Sequence, residues 1–562
     1  MSLNIDIYLM LMDHLESPSD ISALMRSCKT LCALGAKRLL LPGVTIRSDA
    51  VLVSFSRFML RDLAARIPHL RRLFLCIELQ IIDDDGSGSV YECDPEIIEQ
   101  EMLKGGRLLS RVLRRATALE HLTIHFCEEL LEREESLVDA LIALRNVRYL
   151  HISSYGLRAH EVVAEINSPL VHVNVDCSAS NTHHDVDIAQ TLARHRNTLE
   201  KVTAWDINLM ANDMMFVPPQ ADDSDSDEIV FPHVHSLCIR SSLALDLGYL
   251  AHSFPNLRSL DVADVRLTGR YTLDHASHLR DTNVATAEGW RSLDHLCGDD
   301  LSLNILGLKH SVKRLDVELD NLGWLDDPVT DARPTHFLLH GGFATENIEL
   351  LWDLEDALPV VAANSSITHF GLDMYSNELG PDADDIMTQI LQFIVAAASS
   401  LTFFALRLRA LPLEEESAYA RDDHRYPTAP TLPRAARHML RDLAGVEPPS
   451  WVRKMAEAAP ALRYVSVDLE GHAPSCWQVC APEKDSGRIV LAPLDPEEGK
   501  AIVRAEGMEW RLREPAAPRF DEEKLVVRGV PFEEDEWAWD EDCEVSEDSV
   551  SEDESEREDD LD

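Results

Sequence analysis

One phrase of apolar and polar positions recurs along most of this chain: an apolar residue, two others, an apolar residue, one other, and an apolar residue. It opens as Leu70-Arg-Arg-Leu73-Phe-Leu75. It returns with apolar sets Leu119/Leu122/Ile124, Val147/Leu150/Ile152, Leu170/Val173/Val175, Leu199/Val202/Ala204, Val234/Leu237/Ile239 and Leu257/Leu260/Val262, then Val312/Leu315/Val317, Ile367/Phe370/Leu372, Leu401/Phe404/Leu406 and Leu462/Val465/Val467. The period of two at its end predicts a strand with one face buried, and helical patterns follow at 97–115, 136–144, 186–194, 386–398 and 451–459. Successive starts are 49, 28, 23, 29, 35, 23, 55, 55, 34 and 61 residues apart. The shorter intervals match one strand-and-helix unit. Intervals of 49 to 61 predict two units with a degenerate rung between, such as 335–340.

Before the first phrase, Ile7, Leu11 and Leu15 fall at i, i+4 and i+8, with Asp6 and Asp13 off that line, and predict a short amphipathic helix. Ser17 as cap, Pro18 at the first position and Asp20 in the first turn predict a second helix bearing Ile21, Leu24, Met25 and Cys28, with Cys28 toward the helical core. A third starts near Leu31 and carries Leu34 and Leu39. Three helices this short bury too little to stand alone, so an apolar flank is expected to need a cover.

Acidic Gly/Ser/Pro-rich loops near 83–95 and 218–228, and a proline-rich excursion at 411–434, interrupt the series. After residue 470 the rhythm is lost, and short apolar runs at 489–491, 501–504 and 524–527 predict strands that cap the stack. The expected organisation is 1–45 helical, 46–470 an irregular α/β solenoid, 471–531 a C-terminal cap, and 532–562 a disordered acidic tail. Residues 533–562 hold 18 acids against Arg557, a charge of −17, so the chain total of −47 leaves −30 on the body.

That charge argues against nucleic acid or an anionic membrane as a partner through bulk electrostatics. With 562 residues, 45% hydrophobic and 6% aromatic, a long body packed by leucine and alanine is expected. Eleven scattered cysteines suit a reduced compartment, cytoplasmic and/or nuclear. The N-terminus lacks the basic and apolar regions of a signal peptide, and no stretch has 18 uncharged apolar residues, which predicts a soluble intracellular protein.

Candidate chemistry is sparse. Cys28-x3-Cys32 and Cys476-x3-Cys480 lack zinc-ribbon spacing, His183-His-Asp185 precedes a helix that Asp185 would cap, and no phosphate cradle, nucleophile elbow or HExxH occurs. A non-catalytic chain without metal or cofactor is expected. A binding surface suits the residues better: positions two, four and six after each first apolar residue share a face, and early rungs place Arg72, His121, Thr123, His125, Tyr149, His151, His172, Asn174 and Trp205 there. Later rungs place Asp261, Asp316, Glu318, Asp373 and Asp468, with Arg240, Arg314 and Arg407. His121, His125, Tyr149, His151, His172 and Trp205 are the expected target-binding set, with Trp205 as an exposed anchor and the histidines favouring an acidic or phosphorylated segment below pH ~6.5. In the tail, Trp537 and Trp539 amid acids suit a basic groove, and Ser549, Ser551 and Ser555, like Ser224, have an acid three residues on, as acidophilic kinases require.

The order of the first forty residues resembles the F-box: Leu3, Asp6, Ile7, Leu11, Leu15, Pro18, Asp20, Leu24, Cys28, Lys29 and Leu31 fit its pattern, and Asn4 stands where proline is usual. The recurring phrase resembles a leucine-rich repeat. Of the Asn or Cys usually found three residues past each strand, only Cys127 is present, so the ladder of side-chain bonds to backbone is missing and an irregular coil, or two arcs, is expected. An ordinary α/β domain with parallel strands, fronted by a helical cap, is the competing fold. Together the features resemble the F-box/leucine-rich-repeat family of fungal type. That resemblance implies a substrate receptor of an SCF-type ubiquitin ligase, in which Leu3, Ile7, Leu11, Leu15, Pro18, Leu24 and Leu31 bury against a Skp-type adaptor that links to a cullin. The repeat face then holds a protein target, and partner enzymes transfer ubiquitin. A non-catalytic repeat scaffold, an F-box protein outside a ligase, and, from the tail alone, an acidic histone chaperone are the alternatives.

Overall fold

The recurring phrase does form strands, and every copy contributes one. The computed structural model describes residues 5–15, 18–77, 95–177, 188–206, 229–242, 245–265, 273–286, 290, 293–319, 324–343, 364–376, 387–410 apart from 389, 393 and 396–399, then 441, 443–480 and 489–510. Three helices lead: α1 (Ile5–His14), α2 (Pro18–Arg26) and α3 (Lys29–Leu40). One sheet of sixteen strands follows, each beside its neighbours in sequence: β1 (Val44–Ile46), β2 (Arg72–Leu75), β3 (His121–Ile124), β4 (Tyr149–Ser153), β5 (His172–Asp176), β6 (Lys201–Trp205), β7 (Ser236–Arg240), β8 (Ser259–Ala263), β9 (Leu293–Asp299), β10 (Val312–Leu319), β11 (His336–Phe343), β12 (His369–Ser376), β13 (Phe403–Ala410), β14 (Tyr464–Leu469), β15 (Ser475–Cys480) and β16 (Val490–Pro493). Pairing is parallel from β1 to β14 and antiparallel for the last two strands. The chain is therefore α/β, with a long, mostly parallel open sheet.

Parallel neighbours need crossovers, and helices supply them. In chain order these include α4 (Asp49–Arg61), α5 (Leu63–Arg66), α6 (Pro95–Leu113), α7 (Cys127–Arg133), α8 (Ser136–Ile142), α9 (Leu157–Glu165), α10 (Ile188–Leu192), α11 (Leu247–Ser253), α12 (Leu273–Thr286), α13 (Asp300–Leu306), α14 (Asp326–Ala332) and α15 (Pro448–Ala458), and α16 (Pro496–Ala505) follows the last strand. The three apolar residues of each phrase turn to the helices, and one continuous core runs from Leu40 to Leu469. Five strands lie outside the eleven copies: β1, β9, β11, β15 and β16. Leu41-Pro-Gly-Val44-Thr-Ile46 leads into the three-residue β1 with the same apolar spacing, and in β9 Gly298 occupies the third apolar place, opposite Val262 on β8. A Cβ there would drive into the Val262 carbonyl, so close approach of the backbones requires glycine.

The interval rule fails twice. Both intervals of 55 contain an extra strand, β9 and β11, but β2 pairs directly with β3 and β13 with β14, so the intervals of 49 and 61 each hold one long connection. Rungs also turn without side-chain amides. Two residues past the last apolar position, Phe126, Ser154, Asp206, Ser241 and Asp264 adopt left-handed backbone, with φ between 53° and 59°. That geometry is costly for residues other than glycine. Here it lets backbone bonds run from rung to rung, as in Tyr155 N–H to the Asp176 carbonyl (3.1 Å), Asp206 N–H to Arg240 (2.9 Å) and Ser241 N–H to Ala263 (2.9 Å).

At the C-terminal end, residues 490 and 491 of the expected run 489–491 lie in β16, whereas 501–504 lie in α16, started by Asp495 as cap and Pro496 at the first position. Residues 524–527, the tail, 183–185 and the loops at 83–94 and 218–228 fall outside the described residues. Cys28 does not face the helical core: it caps α3 in extended backbone and is exposed. The nine described cysteines are free, and among the described residues no helix is long and apolar enough to cross a membrane.

Candidate functional site

The N-terminal helices enclose a small core of their own: Met12, Ile21, Met25, Leu31 and Ala36, flanked by Tyr8, Leu15, Leu24, Cys32, Leu39 and Phe58. Gly35 lets α3 lie against Met25, where a Cβ would overlap its side chain. Arg38 donates to both carboxylate oxygens of Asp13, Nη2 at 2.8 Å, tying α3 to α1 and holding the Asp13 carboxyl below its usual range. Arg66 on α5 joins this unit to α4, with Nη2 3.8 Å from Cys32 Sγ while it donates to the Phe58 carbonyl and lies 3.9 Å over the Phe58 ring.

Helix α1 is therefore apolar on two sides. Tyr8, Met12 and Leu15, at i, i+4 and i+7, face the small core, while Ile7, Met10 and Leu11, at i, i+3 and i+4, stay bare at 48%, 63% and 50% exposure. Leu34 on α3 is 38% exposed. Of the expected adaptor-facing residues, Ile7 and Leu11 lie on this strip, Leu15 and Leu24 are half-buried, and Leu31 is enclosed at 2% exposure. Pro18 opens α2, and Leu3 lies outside the described residues. Met10 was missed because the i, i+4, i+8 line through Ile7, Leu11 and Leu15 merges the two faces.

The second surface is the sheet face turned away from the core helices. One column follows strand register through Arg72, His121, Tyr149, His172, Lys201, Ser236, Ser259, His295, Arg314, His336, His369, Phe403 and Tyr464. At its start the rings touch: His121 stacks on Tyr149 at 4.0 Å between centroids, and Tyr149 meets His172 edge-on at 4.7 Å. Beside them His125 and His151 lie 5.3 Å apart, and the Asn174 amide nitrogen is 3.2 Å from His151 Nδ1. The structure thus gathers the expected histidines and Tyr149, all half-buried. Two of them are made harder to protonate: burial first, then the neighbouring His125, pushes His151 down to about 4, and burial also lowers His121. Trp205 is not an exposed indole either. It is half-buried with the Arg240 guanidinium 5.0 Å over its ring, and its Nε1 is covered without a hydrogen-bond partner among the described residues.

The later rungs are not an open mixed-charge surface. The chain folds back over them after β16: Ile502 and Val503 of α16, with Met508 and Trp510, pack on Leu338, Phe403, Ala405 and Tyr464. Arg314 donates Nη1 to the Gly507 carbonyl (2.6 Å) and Nη2 to the Glu509 carbonyl (2.9 Å), His369 pairs with Glu506 (2.9 Å), and Arg407 lies 5.1 Å over the Trp510 ring. Beneath this cover Asp316, 1% exposed, accepts from Arg314 Nε and Nη2 at 2.7 Å each and lies 3.0 Å from His295 Nε2. Burial alone would raise the Asp316 carboxyl, but the bonds from His295 and Arg314 outweigh it and hold it well below the usual range. Asp373 and Arg407 are likewise buried, and Arg407 reaches Asp468 at 3.1 Å. Ser259 Oγ lies 3.1 Å from His295 Nδ1, so Ser259, His295 and Asp316 follow the order of a hydrolase relay. Asp316 is already neutralised by Arg314, which anchors residues 507–509, so the series acts as a tie between rungs. Among the described residues no group of three His, Cys, Asp or Glu side chains is placed to hold a metal.

Compared with family models and with curated proteins, the sequence matches none.

Proposed function

We propose that this chain is a non-catalytic substrate receptor of the F-box/leucine-rich-repeat kind, in which α1–α3 dock a Skp-type adaptor of an SCF-type ubiquitin ligase and the open sheet face at β3–β6 holds the target. The bare strip of Ile7, Met10 and Leu11 carries this reading. Those side chains stay in water although the same helix fills its own small core from the other side. Covering half-exposed Ile, Met and Leu side chains contributes roughly 1 kcal/mol each at about 25 cal/mol per Å². Leu31 supports the strip from within, as Leu15 and Leu24 do in part. Such a receptor needs no reacting group, because holding a target beside a partner enzyme supplies the proximity that transfer requires.

Co-purification with a Skp-type adaptor tests the reading. The wild-type chain is expected to retain the adaptor, and Ile7→Asp with Leu11→Asp to lose it while keeping the wild-type circular-dichroism melt, since both positions are exposed. A wild-type chain that retains no adaptor overturns the proposal.

A further inference from the structure

The covered half of the sheet supplies a template for the half left open. On β11–β14, rings in the register column, His336, His369, Phe403 and Tyr464, are spaced 4.1, 5.8 and 6.2 Å centroid to centroid. An amphipathic helix seals that end of the column. From α16 and the turn after it come Ile502, Val503 and Met508 for the apolar contact, Glu506 for His369, and two backbone carbonyls for Arg314. At the same strand position on β3–β5, His121, Tyr149 and His172 repeat the arrangement with rings 4.0 and 4.7 Å apart, yet remain half-exposed. Beside them, Asn174 Oδ1 on β5 and Trp205 Nε1 on β6 are covered and have no hydrogen-bond partner among the described residues.

We propose that the His121–Tyr149–His172 column docks an amphipathic helix of a partner protein, seated as α16 is on the later rungs, with aliphatic or methionine side chains against Tyr149 and a carboxylate near the helix C-terminus bonded to a column histidine. The column positions its rings before any partner arrives, so little side-chain freedom is lost on docking. This inference rests on the sheet face being the target surface; it does not depend on what the N-terminal helices bind.

The test is a random 16-residue peptide library displayed on phage, selected on the full chain and counter-selected on its Tyr149→Ser variant. The expected winners are helical, with apolar residues at i, i+3 and i+4 and an acid near the C-terminal end. They should bind Tyr149→Ser and His172→Ala at least about tenfold more weakly, as loss of a central aromatic anchor does elsewhere. They should bind Tyr149→Phe as wild type, because the ring is kept. If Tyr149→Ser does not fold, His172→Ala replaces it as counter-target. No enrichment, enrichment of extended peptides only, or equal binding to the ring-deleted variants overturns the proposal. A wild-type chain that captures the helix but retains no adaptor would sink the receptor reading alone, and the Ile7→Asp, Leu11→Asp chain, which should lose the adaptor, should still capture the helix.

Discussion

Replacing Asp316 by leucine removes one carboxylate and three bonds to it: two from Arg314 at 2.7 Å and one from His295 at 3.0 Å. Arg314, 6% exposed, then keeps only the carbonyls of Gly507 and Glu509. A buried cation without its counter-charge destabilises by about 3–5 kcal/mol, so Asp316→Leu is expected to lower the urea midpoint sharply. Arg314→Met added to Asp316→Leu replaces the pair with apolar groups of similar volume and should restore most of that loss, because desolvation of both charges is also removed. The double variant nevertheless lacks the donor for residues 507 and 509. Two bonds from a charged donor are worth roughly 3 kcal/mol together, or about a hundredfold faster local opening. Hydrogen exchange by mass spectrometry should therefore show residues 496–510 opening about a hundredfold faster while β10 and β11 keep their protection. A loss below about 1 kcal/mol for Asp316→Leu, a double variant as unstable as the single, or unchanged exchange at 496–510 would refute the reasoning.

Gly298→Ala would force β8 and β9 apart at the Val262 carbonyl; a loss of about 1–3 kcal/mol in urea, with faster exchange confined to those strands, is expected. Acid should destabilise the sheet before its carboxylates protonate. His151 and His336 are both pushed down to about 4, chiefly by burial and then by His125 and His369 respectively. As pH falls from ~6.5 to 4 the unfolded chain therefore takes up protons that the folded chain refuses, and stability drops across that window by a few kcal/mol in total. His151→Gln with His336→Phe should flatten the urea midpoint against pH there, and an unchanged slope would contradict the assignment.

Strand placement was legible in the sequence because a half-buried strand repeats every second residue, and all eleven phrases became strands. β9 was hidden because the place that should be apolar is Gly298, chosen for backbone approach. The run at 501–504 reads as a strand because three consecutive apolar residues cannot separate a period of two from one of 3.6, although Asp495 and Pro496 already signal a helix start. The side of the sheet that each residue takes was legible, since alternation fixes it. Its exposure was not legible: Arg314, Asp316 and Arg407 are covered by residues 502–510, and such a contact between distant segments leaves no local pattern. For the same reason the depressed protonation of His151 follows only from the packing of neighbouring rungs. On α1 the i, i+4, i+8 line found Ile7 and Leu11, but only the packed helices separate them from Met12 and Leu15.

Methionine oxidation tests the docking of the N-terminal strip most directly, because α1 carries two methionines two residues apart in opposite settings, Met10 at 63% exposure and Met12 at 1%. With dilute peroxide the free chain should oxidise at Met10 and spare Met12. Adding a Skp-type adaptor should then protect Met10 to the level of Met12, whereas Met10 oxidising at the same rate with and without adaptor would contradict the account.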